Sequence, residues 1–182
     1  RRTVLVTGAS AGIGAACARV YAQRGWNVIL TARREGPLRV LADEIAARHD
    51  VAATVLTQDL SDPAAPERLV GAIAANGLVV DGLVNNAGFS RVTGFLQTSP
   101  ADHRAMLQVM LVAPAELSRL LLPGMIERGR GHVVNIGSTA GNYPYPGGNV
   151  YCASKAFVKQ FSLALRADLQ GTGVRVTNVE PG

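Results

Sequence analysis

The sequence predicts an α/β fold, a doubly wound parallel sheet formed by one domain over residues 1–182. Short Val- and Ile-rich runs alternate with helical patterns along the whole chain, as βαβ units do. The runs lack a clean polar–apolar alternation, which suits strands covered on both faces. A glycine-rich turn, "TGASAGIG" (7–14), joins the first run to the first helical pattern. The chain is 48% hydrophobic and 17% charged, which excludes a disordered polymer and sustains a real core.

Strands are expected at 3–6, 27–31, 51–57, 82–85, 132–136 and 174–179. In the first helix Ile13, Ala16, Cys17, Val20 and Tyr21 recur at i, i+3, i+4, i+7 and i+8. Leu38, Leu41 and Ile45 mark the second helix, and Phe157, Phe161, Ala164 and Leu165 mark a late one. "DP" (62–63) and "SP" (99–100) are expected helix starts, a capping residue followed by proline. Right-handed crossovers place helices on both faces, and the expected strand order is 3-2-1-4-5-6.

The net charge is +5, yet the arginines are spread from Arg1 to Arg175 with no run longer than two. That argues against a nucleic-acid surface. No apolar run approaches the ~20 residues of a membrane span, so no membrane segment is expected. The chain opens directly into a strand, so no secretory signal is expected. Cys17 and Cys152 lie far apart, and a reducing cytoplasm is the expected location. Three scattered histidines give no metal-ligand spacing, so no metal is expected. Of the 18 basic residues only Lys155 and Lys159 are lysine, which suggests positions where arginine would not serve.

The motifs follow the strands. Gly8, Gly12 and Gly14, with Ser10 and Ile13 in the same turn, allow close backbone approach before a helix N-terminus that favours phosphate. Their spacing is GxxxGxG. After the second strand, where a free ribose 2′-hydroxyl usually meets an acid, stand Arg33 and Arg34, which suit a 2′-phosphate. NADP is therefore expected over NAD, although Glu35 lies close by. Asp59, followed by Leu60, either accepts from an adenine amino group or caps a turn. "NNAG" (85–88) places Asn86, Ala87 and Gly88 at the carboxyl end of the sheet, where open α/β sheets bind ligands, or simply turns the chain. Ser138 ends the fifth strand. Tyr151 and Lys155, four apart in "YCASK", share one helix face. A nearby cation favours the phenolate and makes the phenol usable in proton transfer.

These motifs, together with the closing "PG" (181–182), resemble the short-chain dehydrogenase/reductases over nearly the whole chain. The resemblance implies a Rossmann-type fold and NADP-dependent interconversion of a secondary alcohol and a carbonyl. It implies that Ser138 holds the substrate oxygen, Tyr151 passes the proton, and Lys155 bonds the nicotinamide ribose. Pro181 and Gly182 begin the segment lining the nicotinamide pocket. It further implies a homo-oligomer, paired through helices near 101–128 and 150–169. A last strand and a substrate-covering loop are expected after Gly182, so the chain reads as C-terminally truncated, with an exposed sheet edge and a weakened pocket.

The second half is similar to the bacterial NADP-dependent 3-hydroxy acid (serine, allo-threonine) dehydrogenases. The first half, above all "NNAGFSRVTGFLQTSPADHRAMLQVML", resembles a different oxidoreductase branch. Such a chain sits between two branches, or joins two sequences near "LLPGMIERGRGH". A small 3-hydroxy acid is the expected substrate, with a broad ketone or aldehyde reductase or a non-catalytic NADP-binding protein as alternatives. Met110 stands where the resemblance places a catalytic asparagine whose main-chain carbonyl holds a water reaching the lysine. Pro114 lacks the N–H that would otherwise bond that carbonyl, so it either preserves the relay or merely kinks the helix.

Overall fold

A computed structural model describes residues 1–182. Six strands form one sheet: β1 (Thr3–Thr7), β2 (Asn27–Thr31), β3 (Ala53–Val55), β4 (Gly82–Asn85), β5 (Gly131–Ile136) and β6 (Val174–Val179). Every pairing is parallel, and the order is β3-β2-β1-β4-β5-β6, as expected. Six helices connect and cover it: α1 (Gly12–Gln23), α2 (Glu35–Arg48), α3 (Ala65–Ala75), α4 (Pro100–Leu107), α5 (Ala113–Glu127) and α6 (Asn149–Asp168).

Successive strand residues point to opposite faces, which splits the core in two. Val4, Val6, Val28, Leu30 and Val84 pack under α1 and α2, against Ala18, Leu38 and Ile45. Leu5, Ile29, Leu83 and Val133 pack on the other face, against Leu69 of α3 and Leu117 and Met125 of α5. Both faces are therefore apolar, and the strands show no amphipathic alternation.

Two expected boundaries shift by more than one residue. The third strand covers only Ala53–Val55, not 51–57. It is an outer strand bonded on one side, and its last ladder-like bonds, Leu56 N–H to Leu30 O and Gln58 N–H to Ala32 O, lie beyond the strand proper. "DP" (62–63) forms a turn rather than a helix start. Asp62 Oδ1 accepts from Ala64 N at 3.0 Å, and α3 begins at Ala65 with Pro66 in its first turn. "SP" (99–100) behaves as expected: Ser99 caps α4, its hydroxyl accepting from Asp102 N at 3.0 Å.

The segment around Pro114 is neither a break nor a simple kink. Residues Gln108–Val112 form a π turn between α4 and α5, so the helical run is continuous over the 28 residues Pro100–Glu127. That run corrects the expectation of no apolar stretch near membrane-span length, because by length and composition it is long enough to cross one. Its apolarity has a use inside the fold: Met106, Met110, Leu117 and Met125 are buried.

Candidate active site

The carboxyl ends of β1, β2, β4 and β5 open into one cleft of about 880 Å³. Its floor is built by stitching two turns together. Asn86 donates its side-chain amide to Thr7 O at 2.9 Å and Gly8 O at 3.2 Å. The Thr7 hydroxyl accepts from Asn86 N and Ala87 N, each at 3.0 Å, and donates to Val84 O at 3.2 Å. This close approach explains two glycines. A Cβ on Gly8, whose φ is +65°, would lie 2.8 Å from Asn86 Nδ2. A Cβ on Gly14 would collide with the Gly8 carbonyl and with Asn86. Ser10, Gly12 and Ile13 line the cleft, whereas Gly14 stands just behind it, packed against Gly8 and Asn86. No side chain caps the start of α1, so its first-turn N–H groups face the cleft without a side-chain partner.

At the end of β2, Arg33 and Arg34 are exposed and line the cleft. Glu35, the residue that left room for NAD, is turned away, accepting from Arg39 Nε at 2.7 Å. Asp59 caps its own turn, one oxygen accepting from Ser61 N at 3.0 Å and Ser61 Oγ at 2.7 Å. It still lines the cleft beside Leu60. An uncapped helix start, a glycine held at positive φ and two arginines free of an acid fit a dinucleotide with a 2′-phosphate.

Ser138, Tyr151 and Lys155 meet at the other end with Asn86, Ala87, Gly88, Pro181 and Gly182. Ser138 follows β5, and its hydroxyl oxygen accepts from Ala140 N at 3.1 Å, which leaves its proton to donate elsewhere. Tyr151 is half-buried in the first turn of α6. Lys155, one turn on, is only 7% exposed and donates to Ile136 O at 2.7 Å. Its ammonium lies 5.6 Å from the Tyr151 ring centre. Burial pushes the lysine pKa down to about 8, because the charged form has lost its water. Pro181 is anchored from below, its carbonyl accepting from Thr139 N at 3.0 Å. The second lysine serves this anchor: Lys159 donates to Asn142 Oδ1 at 2.6 Å, and Asn142 donates to Glu180 at 2.7 Å.

Beneath Lys155 lies a small second cavity, lined by Asn85, Met110, Pro114 and Asn135 among others. Met110 is buried and packs toward Gly88. Around the cavity runs a buried polar chain. Asn85 donates to Asn135 Oδ1 at 2.9 Å, Asn135 donates to Ser162 Oγ at 2.9 Å, and Ser118 donates to Pro114 O at 2.7 Å. Asn85 Oδ1 is buried without a protein partner.

The structure thus gathers every site residue read from the sequence, with Gly14 just behind the cleft. The sequence reading missed Thr7, the asparagine chain, and the Phe89–Arg91 wall with Asp102. The asparagines left a trace: Asn85 ends its strand, Asn135 and Asn178 stand one residue before the ends of theirs, and the three pair in register.

Residues 2–182 match the family described as short chain dehydrogenase. The NADP-dependent 3-hydroxy acid dehydrogenase of Salmonella typhi is 47% identical over 182 residues, covering 98% of this chain and 71% of that protein. Serine 3-dehydrogenase of Agrobacterium fabrum is 43% identical over 187 residues, covering 99% and 71%. The closed form of serine dehydrogenase complexed with NADP+ superimposes with a TM-score of 0.89 at 45% identity, over 99% of this chain and 71% of that one. The Salmonella protein matches both halves, so the likeness read in the second half extends through the first.

Proposed function

We propose that this chain, which belongs to the short-chain dehydrogenase family, interconverts a small 3-hydroxy acid and its carbonyl product with NADP, using Ser138, Tyr151 and Lys155. The observation that carries this reading is the single cleft with Arg33 and Arg34 at one end and the serine, tyrosine and lysine at the other. Relatives named for 3-hydroxy acids and for serine have in common a hydroxyl one carbon removed from the carbon bearing the carboxylate.

The residues fit the steps in order. Gly8, Ser10, Gly12, Ile13 and the first turn of α1 take the phosphates, and Arg33 and Arg34 take the 2′-phosphate. Asp59 and Leu60 flank the adenine end, while Asn86–Gly88, Pro181 and Gly182 flank the nicotinamide. When bound, the nicotinamide supplies or accepts the hydride. Ser138 donates to the substrate oxygen, since its own oxygen is already engaged by Ala140 N. Tyr151 gives a proton to that oxygen in reduction and takes it back in oxidation. Lys155, with one N–H on Ile136 O, has others for the ribose and lends positive charge beside the phenol. The unpartnered Asn85 Oδ1 and the cavity at Met110 and Pro114 support a water behind Lys155. Unpaired Cys17 and Cys152 support a reducing location. Half-exposed Leu107, Val112 and Leu120 on one long helix and Phe157 and Leu163 on the other support pairing of two copies there.

NADPH consumption with a panel of 3-oxo acids, ketones and aldehydes tests the reaction. Tyr151→Phe is expected to lower turnover by about 100-fold or more with NADP affinity retained. Undiminished turnover in that variant removes the proposed mechanism, and absence of turnover with every carbonyl favours a non-catalytic NADP-binding protein.

A further inference from the structure

Charged groups in the cleft are unevenly used. Arg33 and Arg34 lie at the adenosine end, and Lys155 is committed beneath Tyr151. One further cation lines the cleft, Arg91. It follows Gly88 by three residues and precedes Thr93 by two. The chain is fixed on both sides of it: Gly88 belongs to the turn stitched to Thr7, and Thr93 O accepts from Asn149 Nδ2 at 3.0 Å. Asn149 begins the helix that carries Tyr151. Arg91 therefore sits on a short span running from the nicotinamide-side turn to the catalytic helix.

Its partners are few. Arg91 Nη2 reaches Asp102 Oδ1 at 3.5 Å, and its guanidinium carbon lies 6.0 Å from the Phe89 ring centre. The other oxygen of Asp102 accepts from Ser99 Oγ at 3.1 Å, so the carboxylate is anchored to the start of α4. A guanidinium has five N–H donors, and one long contact leaves most of them free. A half-exposed pair of this length holds weakly. A ligand carboxylate offering two oxygens in plane competes well with it. Ser90, whose hydroxyl is buried without a protein partner, lines the same wall.

We propose that Arg91 is the specificity-determining residue of this site, binding the substrate's carboxylate while Asp102 orients its guanidinium. This rests on the reading of the cleft as a hydroxy-acid site and adds the group that selects the acid. A neutral alcohol of the same shape gains nothing from Arg91, so the residue separates acid from ester.

The test uses the 182-residue chain with NADP, 3-hydroxybutanoate and its methyl ester, comparing wild type, Arg91→Leu and Arg91→Lys. Wild type is expected to favour the acid. Arg91→Leu lowers the acid-to-ester ratio of kcat/KM by about 30-fold, mainly through KM for the acid. Arg91→Lys restores part of it, as a point charge without the planar fork. NADP affinity stays within about twofold throughout, since the cofactor's own charge-assisted bonds lie at the other end of the cleft. Calorimetric titration of 3-hydroxybutanoate into the NADP-loaded protein gives a second readout. Acid binding that depends on Arg91 without turnover sinks the proposed reaction and keeps the anchor. An unchanged acid-to-ester ratio, no acid binding by wild type, or an equal loss of NADP affinity in Arg91→Leu overturns the anchor.

Discussion

The two ends of the cleft are built from different materials. The phosphate end is mostly backbone: a glycine turn, an uncapped helix start and two exposed arginines without acidic partners. The reacting end is made of side chains held by burial, with Lys155 7% exposed and the asparagine–serine chain beneath it. Backbone donors keep their character whatever surrounds them. A buried ammonium does not, and its pKa of about 8 records the loss of water around it. The phosphate end thus folds at little cost, whereas the reacting end carries a stability penalty built into its chemistry.

Lys155→Met tests that penalty most directly. The folded lysine titrates near 8 and the unfolded one near 10.5. The folded state then suffers its full penalty below about pH 8, and sheds it as pH rises toward the unfolded value. Near pH 7 the penalty is about 3 kcal/mol, against about 1 kcal/mol for the lost bond to Ile136 O. Urea denaturation of the cofactor-free protein should find Lys155→Met more stable by about 2 kcal/mol near pH 7, while turnover disappears. Wild type should recover roughly 2 kcal/mol relative to the variant by about pH 9.5. A variant that is less stable at neutral pH, with a gap insensitive to pH, would show the two ends to be energetically alike.

The exposed end should respond to charge and salt instead. Arg33→Ala and Arg34→Ala are each expected to weaken NADP binding by about tenfold, leaving NAD binding little changed, and to leave folding stability within about 0.5 kcal/mol. Added salt should reduce wild-type NADP affinity more than that of either variant, because exposed charges are screened. Equal salt slopes in all three proteins would mean that these arginines do not meet the 2′-phosphate.

The same contrast decides what could be read from the sequence. Backbone sites need glycines at fixed spacings, and "TGASAGIG" displays them directly. Strand order followed from apolar runs alternating with helical patterns, because strands covered on both faces leave that mark. Ser138, Tyr151 and Lys155 were legible because two of them lie one helical turn apart and the third closely follows a strand. Arg91 and Asp102 were not, since their meeting depends on how a loop crosses between β4 and α4. Thr7 resembled any strand residue until its hydroxyl was found accepting two backbone N–H groups. The start of α3 was misplaced because Asp62 uses its carboxylate on a turn that looks the same in sequence as a helix cap. The π turn left no periodic trace, because five residues are too few to shift an apolar pattern.

Pro114 lies where that π turn meets α5, beside the cavity under Lys155. In an α-helix its N–H would bond the Met110 carbonyl, and proline has none to give. Across the π turn the pairing runs one residue longer, Ala113 N–H reaching Gln108 O. Pro114→Ala restores a donor and lets the turn tighten toward ordinary helix. Because proline is tolerated near a helix start, the change in stability is expected to stay under about 1 kcal/mol. If the Met110 carbonyl helps to hold a water behind Lys155, the effect appears in proton transfer: a roughly threefold slower turnover, smaller than the loss of a general acid–base group itself, with a larger solvent isotope effect and unchanged NADP affinity. An unchanged rate and isotope effect in the folded variant would reduce Pro114 to a packing residue. The reacting end would then draw its special character from the burial of Lys155 alone.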